Sequence, residues 1–65
     1  MVTINGEEKE NYDGVSVEEM LVREGFQKSQ IAVEMNGIIV SKKTYNDTII
    51  HSGDSIEVVS FVGGG

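Results

Sequence analysis

The sequence predicts an α+β domain, a mixed sheet of about five strands with one main helix packed on one face. Three observations predict it. Two Asn-Gly dipeptides, Asn5-Gly6 and Asn36-Gly37, sit between β-rich runs, and Asn-Gly suits the type I′ hairpin turn, whose two central residues need positive φ. A single segment between them, Ser16 to Gly25, carries both start and stop signals of a helix. Beyond it, apolar residues recur at every second position, the period of a strand.

Met1-Val2-Thr3-Ile4 forms the first arm of the opening hairpin. The return arm, Glu7 to Tyr12, is mostly charged and reads as an edge strand, where charge discourages pairing with other chains; Asp13-Gly14 ends it. Ser16 and Glu19 have capping-box spacing, in which the Ser oxygen accepts from the Glu19 amide and the Glu side chain reaches back to the Ser16 amide. Val15 and Met20 stand where a hydrophobic staple belongs. Gly25 occupies the left-handed C′ position, with Phe26 placed to fold back onto Leu21. The helix therefore spans Val17 to Glu24, with Val17, Met20 and Leu21 on one face and Glu18, Glu19 and Arg23 elsewhere. Two turns are marginal alone, so packing of that face on a sheet must hold it.

Ile31, Val33 and Met35 alternate with Ala32 and Glu34, and Asn36-Gly37 leads into Ile38-Ile39-Val40. Ser41 to Thr48 is polar and reads as a loop with a helical turn around Tyr45. Ile49-Ile50 resumes an apolar run, Ser52-Gly53-Asp54 makes a turn, and Ile56 to Val62 is the last strand. Residues 1–62 form the domain, and 63–65 a glycine tail. The resulting order, β-β-α-β-β-β, is the β-grasp arrangement.

Composition narrows the function by exclusion. Sixty-five residues make one small domain with no room for a deep pocket. Without cysteine there is no disulfide, thiolate metal site or nucleophilic thiol. No apolar run approaches the about eighteen residues that a helix needs to cross a bilayer. The formal charge of −6 repels phosphate backbones, which argues against nucleic acid, and suits a basic protein partner or simply keeps the domain soluble. The N-terminus lacks a charged start followed by an apolar run, so the expected location is cytoplasmic.

Side chains with catalytic potential are few. His51 is the single histidine, and one imidazole with no ligand or nucleophile in register reads as a loop residue. Glu7, Glu8 and Glu10 read as a solvated edge, since nothing indicates a pocket to shift their pKa values. The last strand is more informative. Ile56, Val58, Val59, Phe61 and Val62 cannot all share one face, because odd and even positions point to opposite sides. If Ile56 and Val58 face the helix, Val59 and Phe61 lie outside with Val62 beside them, a candidate docking patch unless the Ser41 to Thr48 loop folds over that side.

Gly63-Gly64-Gly65 ends the chain on a carboxylate free of nearby side chains. Glycine has a high entropic cost of ordering, so the run has little structural use. Extended, it spans roughly 10 Å and carries nothing to collide with a narrow site in another protein. The alternative is a frayed end or a linker.

With these segments the chain resembles the sulfur carriers of the ubiquitin-like superfamily, and most closely the ThiS family of thiamin biosynthesis. The resemblance runs the full length, through Val2-Thr3-Ile4-Asn5-Gly6, Val17-Glu18-Glu19-Met20-Leu21, Val33-Glu34-Met35-Asn36-Gly37, Gly53-Asp54 with Ile56-Glu57-Val58, and Gly64-Gly65. Only the last pair is specific for function, and Gly63 extends it by one residue. The resemblance implies a carrier that is not an enzyme. An E1-like adenylating enzyme of the ThiF type would use ATP to convert the Gly65 carboxylate to an acyl-adenylate. A persulfide donor would then supply sulfur, and a thiazole synthase of the ThiG type would consume the thiocarboxylate. Gly64 and Gly63 give clearance, and the chain itself binds no cofactor. Rival readings are a MoaD-like carrier for molybdopterin synthesis, usually longer and with more helix, a ubiquitin-like protein modifier, and a plain interaction module.

Overall fold

The computed structural model describes residues 1–61. Five strands, β1 (Val2–Ile4), β2 (Glu7–Lys9), β3 (Ile31–Met35), β4 (Ile38–Val40) and β5 (Ser55–Ser60), form one sheet in the order β2-β1-β5-β3-β4. β1 runs parallel to β5 and the other pairs are antiparallel, so the sheet is mixed. Helix α1 (Val17–Glu24) lies on one face, and short 3-10 turns occupy Lys28–Gln30 and Lys42–Thr44.

Both Asn-Gly turns have the backbone that their sequence predicts, with φ of 51° and 83° at Asn5-Gly6 and 54° and 83° at Asn36-Gly37. The helix has its predicted bounds. Ser16 Oγ accepts the Glu19 N–H at 3.0 Å, but the reciprocal arm of the capping box is not made. The Glu19 carboxylate pairs with Arg23 Nε at 3.1 Å instead, because a cation one turn along on the same face is a stronger partner than a solvated amide. At the other end Gly25, at φ 82°, donates its N–H to Val22 O at 3.1 Å while Phe26 N–H reaches Leu21 O at 2.9 Å. This is the Schellman pattern, and Phe26 packs against the core.

Two strand bounds differ from the sequence expectation. The return arm stops at Lys9 rather than Tyr12: Asn11 takes φ 72°, which breaks the extended run and sends Tyr12 into the core. β5 begins at Ser55 and stops at Ser60, and Val62 lies outside the described residues.

Helix and sheet close on Val2, Ile4, Val17, Met20, Leu21, Ile31, Val33, Ile50, Ile56 and Val58, with Tyr12 and Tyr45 filling the margins. Full burial of such an aliphatic side chain contributes about 1.5–3 kcal/mol. Tyr45 reaches 1% exposure from the Ser41 to Thr48 loop, which is fastened to the start of α1 by Glu18 N–H to Tyr45 O at 3.0 Å and Val17 N–H to Thr48 O at 2.9 Å. The loop thus covers the helix side of the sheet and leaves the other side open.

Candidate docking face and carrier terminus

The open side of the sheet is organised around β5. This strand is central, between β1 and β3, so its side chains alternate strictly between helix and solvent. Ile56 and Val58 point inward, while Val59 and Phe61 are 51% and 55% exposed. The odd-even expectation for these residues therefore holds. Past the strand, Phe61 N–H donates to Gln30 O at 2.7 Å, which ties the exit of β5 to the 3-10 turn following the helix. Val62, Gly63, Gly64 and Gly65, the other residues predicted to act, lie outside the described residues.

Register brings further residues to this face that sequence order did not reveal. Ala32 stands opposite Val59, and Glu34 stands opposite both Glu57 and Ile39. Directly opposed residues share a face, so Ala32, Ile39, Val59 and Phe61 form an apolar surface beside Glu34, Glu57 and, across β1, Glu8. Ile39 is 73% exposed. The signal for it was present in Ile38-Ile39-Val40, where three consecutive apolar residues in a strand cannot all be buried on one side. Glu34 and Glu57 are like charges directly opposed, an arrangement that costs stability and that a cation from a partner would relieve.

The other candidates are structural. His51 is exposed and its backbone N–H donates to Asp54 Oδ2 at 2.8 Å. Burial pushes the Asp54 carboxyl up, but the Asn36 side-chain amide, the His51 N–H and the His51 charge outweigh it and hold the carboxyl below its ordinary value. Glu7 and Glu8 lie on the edge strand, Glu7 within 3.8 Å of Lys9. The Tyr12 hydroxyl donates to Glu24 Oε2 at 2.5 Å. Burial first, then this bond and the Glu24 charge, push the phenol up to about 12. No cluster of metal-ligating side chains occurs among the described residues.

A helix and a mixed five-stranded sheet in this order, with an open apolar face at the exit of the last strand, fit a carrier body, and the family assignment decides which. The model of the ThiS family matches residues 2–65. The chain belongs to the ThiS family. Among solved structures, the thiamine biosynthesis protein ThiS from Geobacter metallireducens superposes with a TM-score of 0.81 at 28% identity, covering 98% of this chain and 97% of that one. The sulfur carrier protein ThiS of Bacillus subtilis is 32% identical over 66 residues, spanning the whole of both chains. A thiazole synthase of Magnetococcus marinus is 39% identical over 64 residues, which are 98% of this chain but 20% of that protein. The chain thus spans about a fifth of the length of the first curated relatives it matches. A β-grasp body of the ThiS type is the scaffold on which the exposed Val59 and Phe61 sit.

Proposed function

We propose that this chain is a sulfur carrier of thiamin biosynthesis, whose C-terminal glycine carboxylate is adenylated by a partner enzyme and converted to a thiocarboxylate that donates sulfur for thiazole formation. The observation that carries the reading is the junction at Phe61. A strand held centrally in the sheet ends there beside an uncovered apolar face, and the four residues beyond span at most about 14 Å, so docking of that face fixes how far the glycines reach into a partner.

The chemistry needs such a partner. A carboxylate resists nucleophilic attack because resonance and negative charge both oppose it. Attack of the Gly65 carboxylate oxygen on the α-phosphorus of ATP releases pyrophosphate and leaves an acyl-adenylate. The outer sulfur of a persulfide then attacks the acyl carbon and displaces AMP, giving an acyl disulfide. A second thiol attacks the donor's sulfur, breaks the S–S bond and releases the thiocarboxylate, leaving the donor as a disulfide. The carrier supplies the carboxylate and the docking energy; ATP and the catalytic groups belong to the adenylating enzyme of the ThiF type. Val59, Phe61 and Val62 provide the apolar centre of the contact, and Glu34 and Glu57 favour a partner that presents cations around it. The relatives named thiazole synthase contain, in about a fifth of one chain, a segment like this one, which supports a ThiG-type enzyme as the sulfur acceptor.

The test is intact mass measurement of the chain after incubation with ATP, a ThiF-type enzyme, a persulfide source and a thiol reductant. Replacement of one oxygen by sulfur at Gly65 supports the reading. A chain joined through Gly65 to lysine of another protein would make it a modifier instead, and an unchanged mass would overturn it.

A further inference from the structure

The two edges of the sheet are built differently. β2 carries Glu7, Glu8 and Lys9, and charged side chains deter strand addition. β4, at the opposite edge, is Ile38-Ile39-Val40 with no charge, and Ile38 and Ile39 are 71% and 73% exposed. Its register also leaves one residue's backbone unspent. Asn36-Gly37 is a two-residue turn, so the flanking Met35 and Ile38 exchange both ladder bonds, and Glu34 and Ile39 form the next, non-hydrogen-bonded pair. The N–H and C=O of Ile39 therefore point away from β3 to the open edge. The opening hairpin obeys the same rule: Thr3, one residue beyond its turn pair, donates outward to Asp54 O at 3.0 Å.

The charges around this edge are unspent too. Lys9 pairs with Glu24 at 3.5 Å, Arg23 with Glu19 at 3.1 Å and Lys28 with Glu18 at 2.6 Å. The remaining Lys and Arg side chains, Lys42 and Lys43, open the 3-10 turn that starts one residue after β4, and among the described residues no carboxylate stands within 4.0 Å of either. We propose that β4 is a strand-addition site for an extended segment of a partner protein, apolar at its centre and acidic at the end that runs beside Lys42 and Lys43. Antiparallel addition, the commoner pairing, places the acidic residues before the apolar ones. The partner strand exchanges two bonds with Ile39, seats a side chain against Ile39 on the open face, and meets the two lysines with its carboxylates. A second copy fits poorly: it would bring lysines and no carboxylate to the edge, between two bodies of formal charge −6.

The test is titration of the 15N-labelled chain with the synthetic peptide Asp-Glu-Ser-Val-Ile-Val, and with Lys-Lys-Ser-Val-Ile-Val as its charge-reversed counterpart. Saturable amide shifts confined to Ile38 through Lys43, with the acidic peptide the tighter binder, support the proposal. Ile39→Pro removes only the outward N–H and spares the β3 ladder; it weakens binding about tenfold, as loss of a hydrogen bond does. Ile39→Lys, which leaves the backbone intact, and the double variant Lys42→Glu, Lys43→Glu weaken it as well, with thermal midpoints confirming that each remains folded. No saturable shift, equal binding of both peptides, or shifts centred on Val59 and Phe61 would overturn it. So would shifts that follow the concentration of the chain alone, which assign the edge to a second copy.

Discussion

The side-chain oxygen of Asn5 accepts the backbone N–H of Val58 at 2.7 Å, so a turn residue extends a ladder that its own strand has already left. β1 bonds to the β5 side through Thr3 N–H to Asp54 O at 3.0 Å and Asn5 N–H to Ile56 O at 2.8 Å. Past Asn5 the chain turns back into β2, and the N–H of Val58, a residue only 7% exposed, has no strand beside it on the β1 side, where pairing ends at Ile4 and Ile56. Asn5 meets both demands at once, a left-handed φ of 51° and a carbonyl within reach. Asn5→Gly keeps the turn and orphans the Val58 N–H, at a cost of about 1–3 kcal/mol. Asn5→Asp keeps the acceptor and is milder. Urea denaturation measures both, and equal stability of Asn5→Gly and the parent would show that the bond contributes nothing.

Features set by neighbours in sequence were legible: both turns, the helix bounds and the αL glycine at position 25 all follow from residues within five positions of one another. Where two local partners compete, legibility fails. Glu19 had Ser16 N–H and Arg23 within reach, and the charge won. The strand from Glu7 ends three residues short of Tyr12 because Asn11 turns the chain by φ alone, and the Lys28–Gln30 turn carries no apolar period to announce it. The site divides the same way. Val59 and Phe61 follow from alternation within one strand, whereas Ala32, Glu34 and Ile39 join them only through the register of β3 against β4 and β5, which sequence order does not specify.

Asp54 links stability to acid. Its carboxyl accepts from Asn36 Nδ2 at 3.0 Å and from His51 N–H at 2.8 Å, and it is held below the ordinary 3.8 despite the opposing effect of burial. A depressed folded value means stabilisation that is present above the unfolded pKa and lost as pH falls through the folded one. The stability advantage of the parent over Asp54→Asn is therefore full near neutrality and shrinks as pH drops below 3.8. Thermal midpoints of the two chains between neutral and strongly acidic pH check this; a constant gap contradicts it.

Tyr12 makes the opposite link at the alkaline end. Burial, the Glu24 bond and the Glu24 charge raise its phenol from 10.0 to about 12, with Arg23, 5.5 Å above the ring, opposing. Here the stabilisation is present below 10.0 and is lost as pH rises through about 12. Tyr45 is also raised, by burial, so the folded chain should show no phenolate absorbance step at the ordinary value. Tyr12→Phe removes the dependence: its stability relative to the parent rises across the window from 10.0 to about 12. A phenolate step near 10 in the folded parent that Tyr12→Phe abolishes would place Tyr12 in solvent.

Phe61 separates docking from folding. The side chain is 55% exposed, outside the core, and the backbone bond to Gln30 O does not depend on it, so Phe61→Glu costs the fold less than about 0.5 kcal/mol. On the open face the new carboxylate joins Glu34 and Glu57 and repels the cations of a partner shaped to meet them, while the apolar anchor next to the tail is lost. Adenylation by the partner enzyme, followed as ATP–pyrophosphate exchange, should fall roughly thirtyfold or more, the loss that removal of an interface hot spot produces. Val59→Glu, on the same face, should behave alike, and Glu10→Gln, an exposed position just past the end of the edge strand β2, should retain activity. Full exchange by Phe61→Glu would mean that the carrier is gripped by its tail alone, and the face beside β5 would lose its assigned role.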